Sequence, residues 1–216
     1  GRTSVRNQKF RLDHQNKLFD METDPGQYTD VSKKFPDEYQ TLKNAKTKWV
    51  SEVASELKKT KRPFTVGDSS STYTQLPARD GIAHGNITRS NRWPNSSYYL
   101  NWISTSDSIT WPVNVLESGT FDVELHYTCQ AANIGSNIRL SLNSSKLDYK
   151  ITEAFHSQLL MSDDVYPRGE GYVKKFHNVK MGTIQLKKGT GTLVLKAIEI
   201  PGSQVMDFRL LMLKRI

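Results

Sequence analysis

The feature that most constrains the fold of this chain is the alternation of apolar and polar residues beyond Trp111. Successive side chains of a β-strand point to opposite faces of the sheet, so a half-buried strand shows a period of two. Short strands of this kind, with no helical pattern between them, are typical of an antiparallel sandwich or barrel. The sequence therefore predicts a mainly β fold, an antiparallel β-sandwich. Its predicted strands lie within 113–115, 121–127, 138–142, 147–151, 184–186, 193–197 and 205–213.

The first sixty residues follow a different pattern. An alternating run from Val5 to Leu12 predicts a strand, Asp24-Pro25-Gly26 predicts a turn, and Pro36 opens a helix. Apolar residues return near the helical period at Tyr39, Leu42, Trp49, Val53 and Leu57. A small α+β segment, consisting of strands and one amphipathic helix, thus precedes the sandwich, and Trp49 is expected to be a packing residue.

Residues 63–110 separate these two patterns and are rich in turn-forming residues. Short strands are predicted only near 85–89 and 98–103. The sequence is therefore divided into two domains. Residues 1–62 contain the first strands and the helix, and residues 63–216 contain a linker and the β-sandwich.

Two motifs near the N-terminus resemble a known enzyme family. Leu18-Phe19-Asp20, the Asp24-Pro25-Gly26 turn and the helix that follows are similar to the last segment of bacterial arylsulfatase-type sulfatases of the alkaline phosphatase superfamily. The resemblance implies that residues 1–62 are the terminal strands and helix of a sulfatase C-terminal subdomain. It also implies a sulfatase catalytic domain, absent from this chain, as a partner, and a parent enzyme that uses calcium and formylglycine.

The second domain resembles another group of proteins. Its strand Trp111–Val115, the run Glu117–Tyr127 and the late hairpin Met181–Gly189 resemble galactose-binding-like jelly rolls, including those of carbohydrate-binding modules. A jelly roll that follows a sulfatase-like ending implies a secreted enzyme that acts on polysaccharides. The expected location is therefore periplasmic or extracellular.

No catalytic group is predicted in the chain itself. Formylglycine forms from a cysteine in a Cys-x-Pro-x-Arg context, whereas the only cysteine, Cys129, is followed by Gln130-Ala131-Ala132-Asn133. Cys129 lies in an alternating run and is expected to be a small buried side chain. The five histidines are scattered without metal-ligand spacing. The chain alone is therefore expected to be inactive, with no metal and no cofactor, although it is expected to be part of a sulfuric ester hydrolase.

The net charge of +8 favours an anionic partner, but the distribution of the charged residues argues against nucleic acid. The excess is spread over both domains, and no recognition helix or interleaved aromatic-basic motif accompanies it, so nucleic acid is not an expected partner. The sequence has no run of about 18 apolar residues that would predict a membrane span. A sulfated polysaccharide is the partner that fits the charge.

Aromatic residues before the sandwich are the first candidates for sugar contacts, because aromatic rings stack on the apolar faces of sugars. Arginines nearby could hold hydroxyl or sulfate oxygens. The alternative is that these aromatic side chains only fill a strand face. The candidate carbohydrate-binding residues are Trp93, Tyr98, Tyr99, Trp102 and Arg89, together with Arg168 in the long loop 162–172.

Three functions follow from these observations. The first is a non-catalytic C-terminal part of a secreted sulfatase, which supports the catalytic domain and contacts sulfated glycan. The alternative is an autonomous carbohydrate-binding module, in which residues 1–62 form an unrelated helical cap. An enzyme in its own right is the third, and no nucleophile and base can be paired from their spacing to support it.

Overall fold

The computed structural model describes residues 3–58, 62–161, 164–169 and 171–216, without the side chains of residues 54, 55, 57 and 58. The chain forms two compact units, Gly1–Lys61 and Arg62–Ile216. Among the described residues, no helix is both long enough and apolar enough to cross a membrane.

The first unit contains one small antiparallel sheet and one helix. Its strands are β1 (Val5–Arg6), β2 (Phe10–Leu12) and β3 (Leu18–Asp20), and helix α1 spans Pro36–Lys58. The predicted single strand from Val5 to Leu12 is a hairpin instead. Its turn forms because the side chain of Asn7 accepts the backbone N–H groups of Lys9 and Phe10, at 3.0 and 2.6 Å.

Helix α1 is much longer than the strands on which it packs. A helix of this length extends roughly 35 Å, whereas three strand residues extend only about 10 Å. Leu42 is buried with Phe10, Leu12 and Leu18, but Trp49 is 49% exposed. Trp49 is therefore not the buried packing residue that the sequence predicts: it lines an open groove with Val5 and Arg6 of β1. Leu57, which the sequence predicts on the apolar face of the helix, is not among the side chains that the structure describes.

The second unit is a sandwich of two six-stranded sheets, as the alternation predicted. The strands are β4 (Phe64–Val66), β5 (Tyr73–Pro77), β6 (Ile82–His84), β7 (Thr88–Arg89), β8 (Tyr99–Leu100), β9 (Ser108–Val115), β10 (Gly119–Thr128), β11 (Asn137–Leu142), β12 (Ser145–Lys150), β13 (His177–Leu186), β14 (Gly189–Glu199) and β15 (Asp207–Arg215). One sheet has the order β13-β10-β15-β8-β7, with β5 also paired to β15, and the other has the order β12-β11-β14-β9-β4, with β6 also paired to β9. All pairs are antiparallel except β4 with β9.

The core of the sandwich is made by the inward members of the alternating strands. Trp111 of β9 is buried and meets Phe208 of β15 edge to face, with 5.8 Å between the ring centroids. Phe121, Val123, Leu125 and others from both sheets complete one continuous cluster. Burial of apolar area in such a cluster is the main favourable contribution to folding. The predicted mainly β, antiparallel sandwich is confirmed.

Residues 63–110 differ from their predicted role. The sequence predicts a linker with two short strands, and β7 and β8 lie where those strands were expected. Three further strands, β4, β5 and β6, join the two sheets from the same stretch. Their lengths of three to five residues explain why alternation does not reveal them. This stretch is therefore part of the sandwich and not a linker.

Candidate functional site

Strand register brings several loops to one end of the sandwich. β10 ends where β13 and β15 begin, because Tyr127 pairs with His177 and Thr128 pairs with Asp207. β8 joins this end through the pair Tyr99 and Phe208. The loops 90–98, 151–176 and 200–206 leave from these strand ends, and we call the three together the loop end.

The loop 90–98, hereafter the Trp93 loop, is fixed by its own hydrogen bonds. Asn91 Oδ1 accepts the backbone N–H of Trp93 at 2.7 Å. The Ser97 hydroxyl donates to the Pro94 carbonyl at 2.8 Å. The base of the loop is closed by Ser90, whose N–H donates to the Tyr98 carbonyl at 2.9 Å and whose hydroxyl accepts the Tyr98 N–H at 3.1 Å. A side chain on this loop is therefore held on a defined backbone.

Trp93 is the predicted aromatic residue that the structure leaves open to solvent. Trp93 is 43% exposed, and because the indole is the largest side chain, this leaves a wide apolar surface in contact with water. The guanidinium of its neighbour Arg92 lies 4.6 Å from the ring centroid, which is a cation–π geometry. A flat apolar surface with a cation beside it can stack on one sugar ring and bind a polar group of the same or the next ring.

The other three predicted aromatic residues are buried. Tyr98 is 7%, Tyr99 4% and Trp102 1% exposed. The Tyr99 hydroxyl donates to the Gly81 carbonyl at 2.5 Å, and Trp102 accepts the Val205 N–H on its carbonyl at 2.8 Å. These side chains occupy strand and core positions, which is the packing alternative considered above, and none offers an open ring face.

Tyr98 belongs to a layer below the Trp93 loop. Its ring meets Phe176 edge to face at 5.3 Å, and the ammonium of Lys174 lies 4.7 Å from its centroid. Lys174 forms an ion pair with Asp207, which also accepts the Thr128 hydroxyl at 3.1 Å. Burial raises the pKa of Tyr98, and the charge of Asp207 raises it further. Tyr98 therefore stays neutral and anchors the loop.

The predicted residue Arg168 lies on the long loop 151–176. Its guanidinium lies 4.9 Å from the centroid of Tyr172 and pairs with Asp164 at 2.5 Å. The same loop approaches the Trp93 loop closely, since a Cβ placed on Gly171 would lie 1.6 Å from the Asn91 amide nitrogen. The structure thus brings Arg168 and Trp93 to neighbouring loops. Residues 162, 163 and 170 of the predicted loop lie outside the described residues.

Predicted residue Arg89 belongs to an arginine cluster that the sequence did not reveal. Its Nη2 donates to the carbonyl of Arg79 at 2.8 Å. Arg209, in β15, donates from Nη1 to the carbonyl of Ser97 in the Trp93 loop. Burial lowers the pKa of Arg209, and the nearby positive charge of Arg79 lowers it further. We call Arg79, Arg89 and Arg209 the arginine cluster.

His126 lies beside this cluster on the outer face of the same sheet. Its Nε2 is buried and has no hydrogen-bond partner among the described residues. Burial lowers the pKa of His126; the charge of Glu124 opposes this effect, and that of Arg209 adds to it. The imidazole is therefore neutral at pH 7 and has a nitrogen with an unused hydrogen-bonding capacity.

A polar cleft lies at the opposite end of the sandwich. It has a volume of about 690 Å³. Hydroxyl and lysine side chains contribute most of its lining, and no aromatic ring does, so it lacks a stacking surface. Its lining residues are Ser118, Gly119, Thr120, Ser144, Ser145, Lys146, Thr183, Ile184, Gln185, Leu186 and Lys187.

The part of the chain that the structure describes offers few residues that could bind a metal ion or act as a nucleophile. It contains no group of three or more His, Cys, Asp or Glu residues that could hold a metal ion. Cys129 is buried, as predicted, and burial raises the pKa of its thiol to about 11, with a further contribution from Asp207. A protonated, buried thiol is a poor nucleophile.

Comparison with known proteins finds similarity of fold only. No protein-family model and no curated protein sequence matches the chain. Similar solved structures include a family 35 carbohydrate-binding module from Clostridium thermocellum, with 16% identity, 68% of this chain and 100% of that chain covered, and a TM-score of 0.46. The C-terminal CBM6 of the laminarinase LamC from Zobellia galactanivorans has 13% identity, 66% and 99% coverage, and a TM-score of 0.46.

A Podospora anserina GH26-CBM35 β-(1,4)-mannanase is also similar, with 14% identity and a TM-score of 0.44. The match covers 67% of this chain and 28% of the mannanase, so this chain spans less than a third of that protein. Similarity at this level concerns the course of the chain and assigns no role to any residue.

Proposed function

We propose that residues 63–216 form a carbohydrate-binding module that holds a polysaccharide at the loop end, with Trp93 as its stacking surface. The observation that carries the proposal is the exposure of the Trp93 indole on a loop closed by its own hydrogen bonds. A surface that is already ordered loses little conformational entropy when a ligand binds.

The neighbouring side chains support a sugar ligand. Arg92 lies against the Trp93 ring, and Arg168 and Tyr172 lie on the adjoining loop. Guanidinium and phenol groups donate hydrogen bonds, which hydroxyl-rich chains accept. A sulfated polysaccharide is the ligand class that the net charge of +8 favours. The protein that binds it is expected in the periplasm or outside the cell.

The proposal is tested by comparing two tryptophans of similar exposure. Trp93→Ala removes the proposed surface, while Trp49→Ala removes an equally open indole from the other unit. Calorimetric titration of the full chain with a panel of soluble polysaccharides should show saturable binding, which Trp93→Ala weakens at least tenfold and Trp49→Ala leaves unchanged. Equal binding by all three proteins would contradict the proposal.

Trp102→Ala is unsuitable for this test, although the sequence suggests it. Trp102 is fully buried, and truncation of a buried tryptophan costs about 3–5 kcal/mol of stability. Lost binding in that variant would report unfolding instead of a lost contact.

We propose in addition that the chain is the C-terminal part of a sulfatase, in which it supports a catalytic domain. Three short strands, the Asp24-Pro25-Gly26 turn and helix α1 follow one another in the order that the sulfatase resemblance implies. An upstream Cys-x-Pro-x-Arg motif in the same reading frame would support this parentage, and its calcium and formylglycine would belong to that domain. An upstream sequence without it would contradict the proposal.

A further inference from the structure

The arginine cluster concentrates positive charge beside the Trp93 loop. Arg79 lies in the 3-10 turn Ala78–Asp80, Arg89 ends β7, and Arg209 lies in β15. The shift in register between His126 and Tyr127 places an unpaired residue, Arg209, in β15 at this point. Such a bulge redirects a side chain that regular pleating would turn elsewhere.

Carboxylates do not balance this charge. Arg79 pairs with Asp80, with 3.3 Å between Nε and Oδ2. Within the described part of the chain, neither Arg89 nor Arg209 makes an ion pair, since the hydrogen bonds given above for both lead to neutral carbonyl oxygens. The cluster therefore keeps an excess of two positive charges.

Like charges at a partly buried site make this arrangement costly without an anion. The pKa of Arg209 is lowered by burial and by the charge of Arg79, which means that the folded protein disfavours the charged form. Arginine stays protonated under all ordinary conditions. A bound anion would offset the repulsion, so the cluster is suited to accept one.

We propose that Arg79, Arg89 and Arg209 form a subsite for the anionic group of an acidic polysaccharide, a sulfate or a carboxylate. The inference rests on the proposed function, because it assumes that a glycan lies at the Trp93 loop. Planar guanidinium groups match the oxygens of both anions, often with two parallel hydrogen bonds. His126 lies next to Arg209 and can add a neutral donor.

The position of the cluster connects it to the stacking surface. Arg89 directly precedes the Trp93 loop, and Ser97, to which Arg209 donates, belongs to that loop. The indole and Arg89 therefore belong to the same short hairpin, and Arg209 is hydrogen-bonded to it from β15. A polysaccharide with an anionic substituent can place one ring on Trp93 and the substituent on the arginines.

The test uses the full chain and separates the two proposals. The double variant Arg79→Gln, Arg89→Gln removes two charges without touching a buried side chain, and the control Lys150→Gln, Lys196→Gln removes two exposed charges from the other sheet. Affinities are measured by calorimetry for dextran sulfate, polygalacturonate and neutral dextran over a series of salt concentrations. Thermal unfolding of each variant confirms folding.

The expected result is a loss of tenfold or more for the sulfated or the carboxylated polymer with the arginine variant only, together with a shallower salt dependence. The polymer that shows the larger loss identifies the anion. Equal losses in both double variants would mean unspecific attraction of polyanions and would overturn the inference. So would unchanged affinity in the arginine variant, even if Trp93→Ala weakens binding and thus supports the proposed function.

The reverse outcome is also informative. If the arginine variant loses acidic polymers while Trp93→Ala binds every polymer as the native chain does, the anion subsite is supported and the stacking role of Trp93 fails.

Discussion

Oδ1 of Asp107 lies where the side chain of residue 85 would be, since a Cβ built on Gly85 would lie 2.1 Å from it. Gly85 has φ +77°, which is the left-handed region, and it turns the chain between β6 and β7. Asp107 is fully buried and accepts four hydrogen bonds. They come from the backbone N–H groups of Asn86 (2.9 Å), Ile103 (3.2 Å) and Ser104 (2.9 Å), and from the Asn86 amide (3.1 Å).

We predict that Gly85→Ala destabilises the sandwich strongly. The added methyl group must displace a buried carboxylate that organises two turns, and the positive φ adds backbone strain, for a total of about 2–4 kcal/mol. Urea unfolding followed by tryptophan fluorescence measures the loss.

A control separates the two contributions of Gly85. Gly189 also has a positive φ, +136°, but nothing lies within 4 Å of a Cβ placed there. Gly189→Ala therefore reports the backbone strain without a clash. Because φ +136° is at least as unfavourable for alanine as φ +77°, a loss in Gly85→Ala that exceeds the loss in Gly189→Ala gives a lower bound for the contact with Asp107. No measurable loss in Gly85→Ala would contradict the prediction.

The carboxylate of Asp107 should also make stability depend on pH. Burial alone would raise its pKa, but the hydrogen bonds from Asn86, Ser104 and Ile103 outweigh burial and lower it. A folded-state pKa below the unfolded value of about 3.9 gives stability that is present above that value and lost as the pH falls through the folded pKa.

Comparison of the native chain with Asp107→Asn tests this dependence. Asparagine supplies one acceptor oxygen in place of two, so the variant should be less stable at pH 7. The difference in unfolding free energy between the two proteins should shrink as the pH falls from 5 to 3. A difference that stays constant over this range would show that Asp107 is not the titrating group.

The alternation of apolar and polar residues predicted the sandwich because it shows that one face of each strand is buried. It does not show whether distant residues also cover the other face. Tyr98 and Tyr99 are neighbours in sequence and both are buried, one under Phe176 and Lys174, the other in the core. A half-buried strand would expose one of them. The layer outside Tyr98 comes from residues more than seventy positions away, which no local pattern shows.

The arginine cluster escaped prediction for a similar reason. Arg209 lies in a run that the sequence shows correctly as a strand, but the bulge opposite His126 and Tyr127 changes its direction. Only Arg89 was a candidate, because it lies near the aromatic residues in sequence. Pairing between distant strands decides which arginines meet, and a single sequence does not contain that register.

The Lys174–Asp207 ion pair should support the loop end. Both side chains are largely buried, so removal of one partner leaves an uncompensated charge. Lys174→Met is expected to cost about 3 kcal/mol. Arg139→Met is the control, because Arg139 pairs with Asp148 at 2.6 Å in the other sheet and both side chains are open to solvent, and exposed pairs contribute little to stability. Similar losses in urea unfolding would show that Lys174 behaves as a surface residue.

Cys129 should resist thiol reagents until the sandwich unfolds. It is the only cysteine of the chain, its Sγ lies 3.5 Å from the Val205 carbonyl, and its backbone forms a bridge with Phe155. The pKa of about 11 keeps the thiol protonated at pH 8, and the attacking species in disulfide exchange is the thiolate.

We therefore expect an aromatic disulfide reagent at pH 8 to release no thiol signal from the folded chain and one equivalent in 8 M urea. The rate should rise with urea in parallel with the unfolding transition, because exposure and pKa change together. Cys129→Ala should stay folded, with a loss of about 1 kcal/mol for the smaller buried side chain. Fast labelling of the native protein would show that the region around β10 and Val205 opens without global unfolding, and that the thiol is available for chemistry.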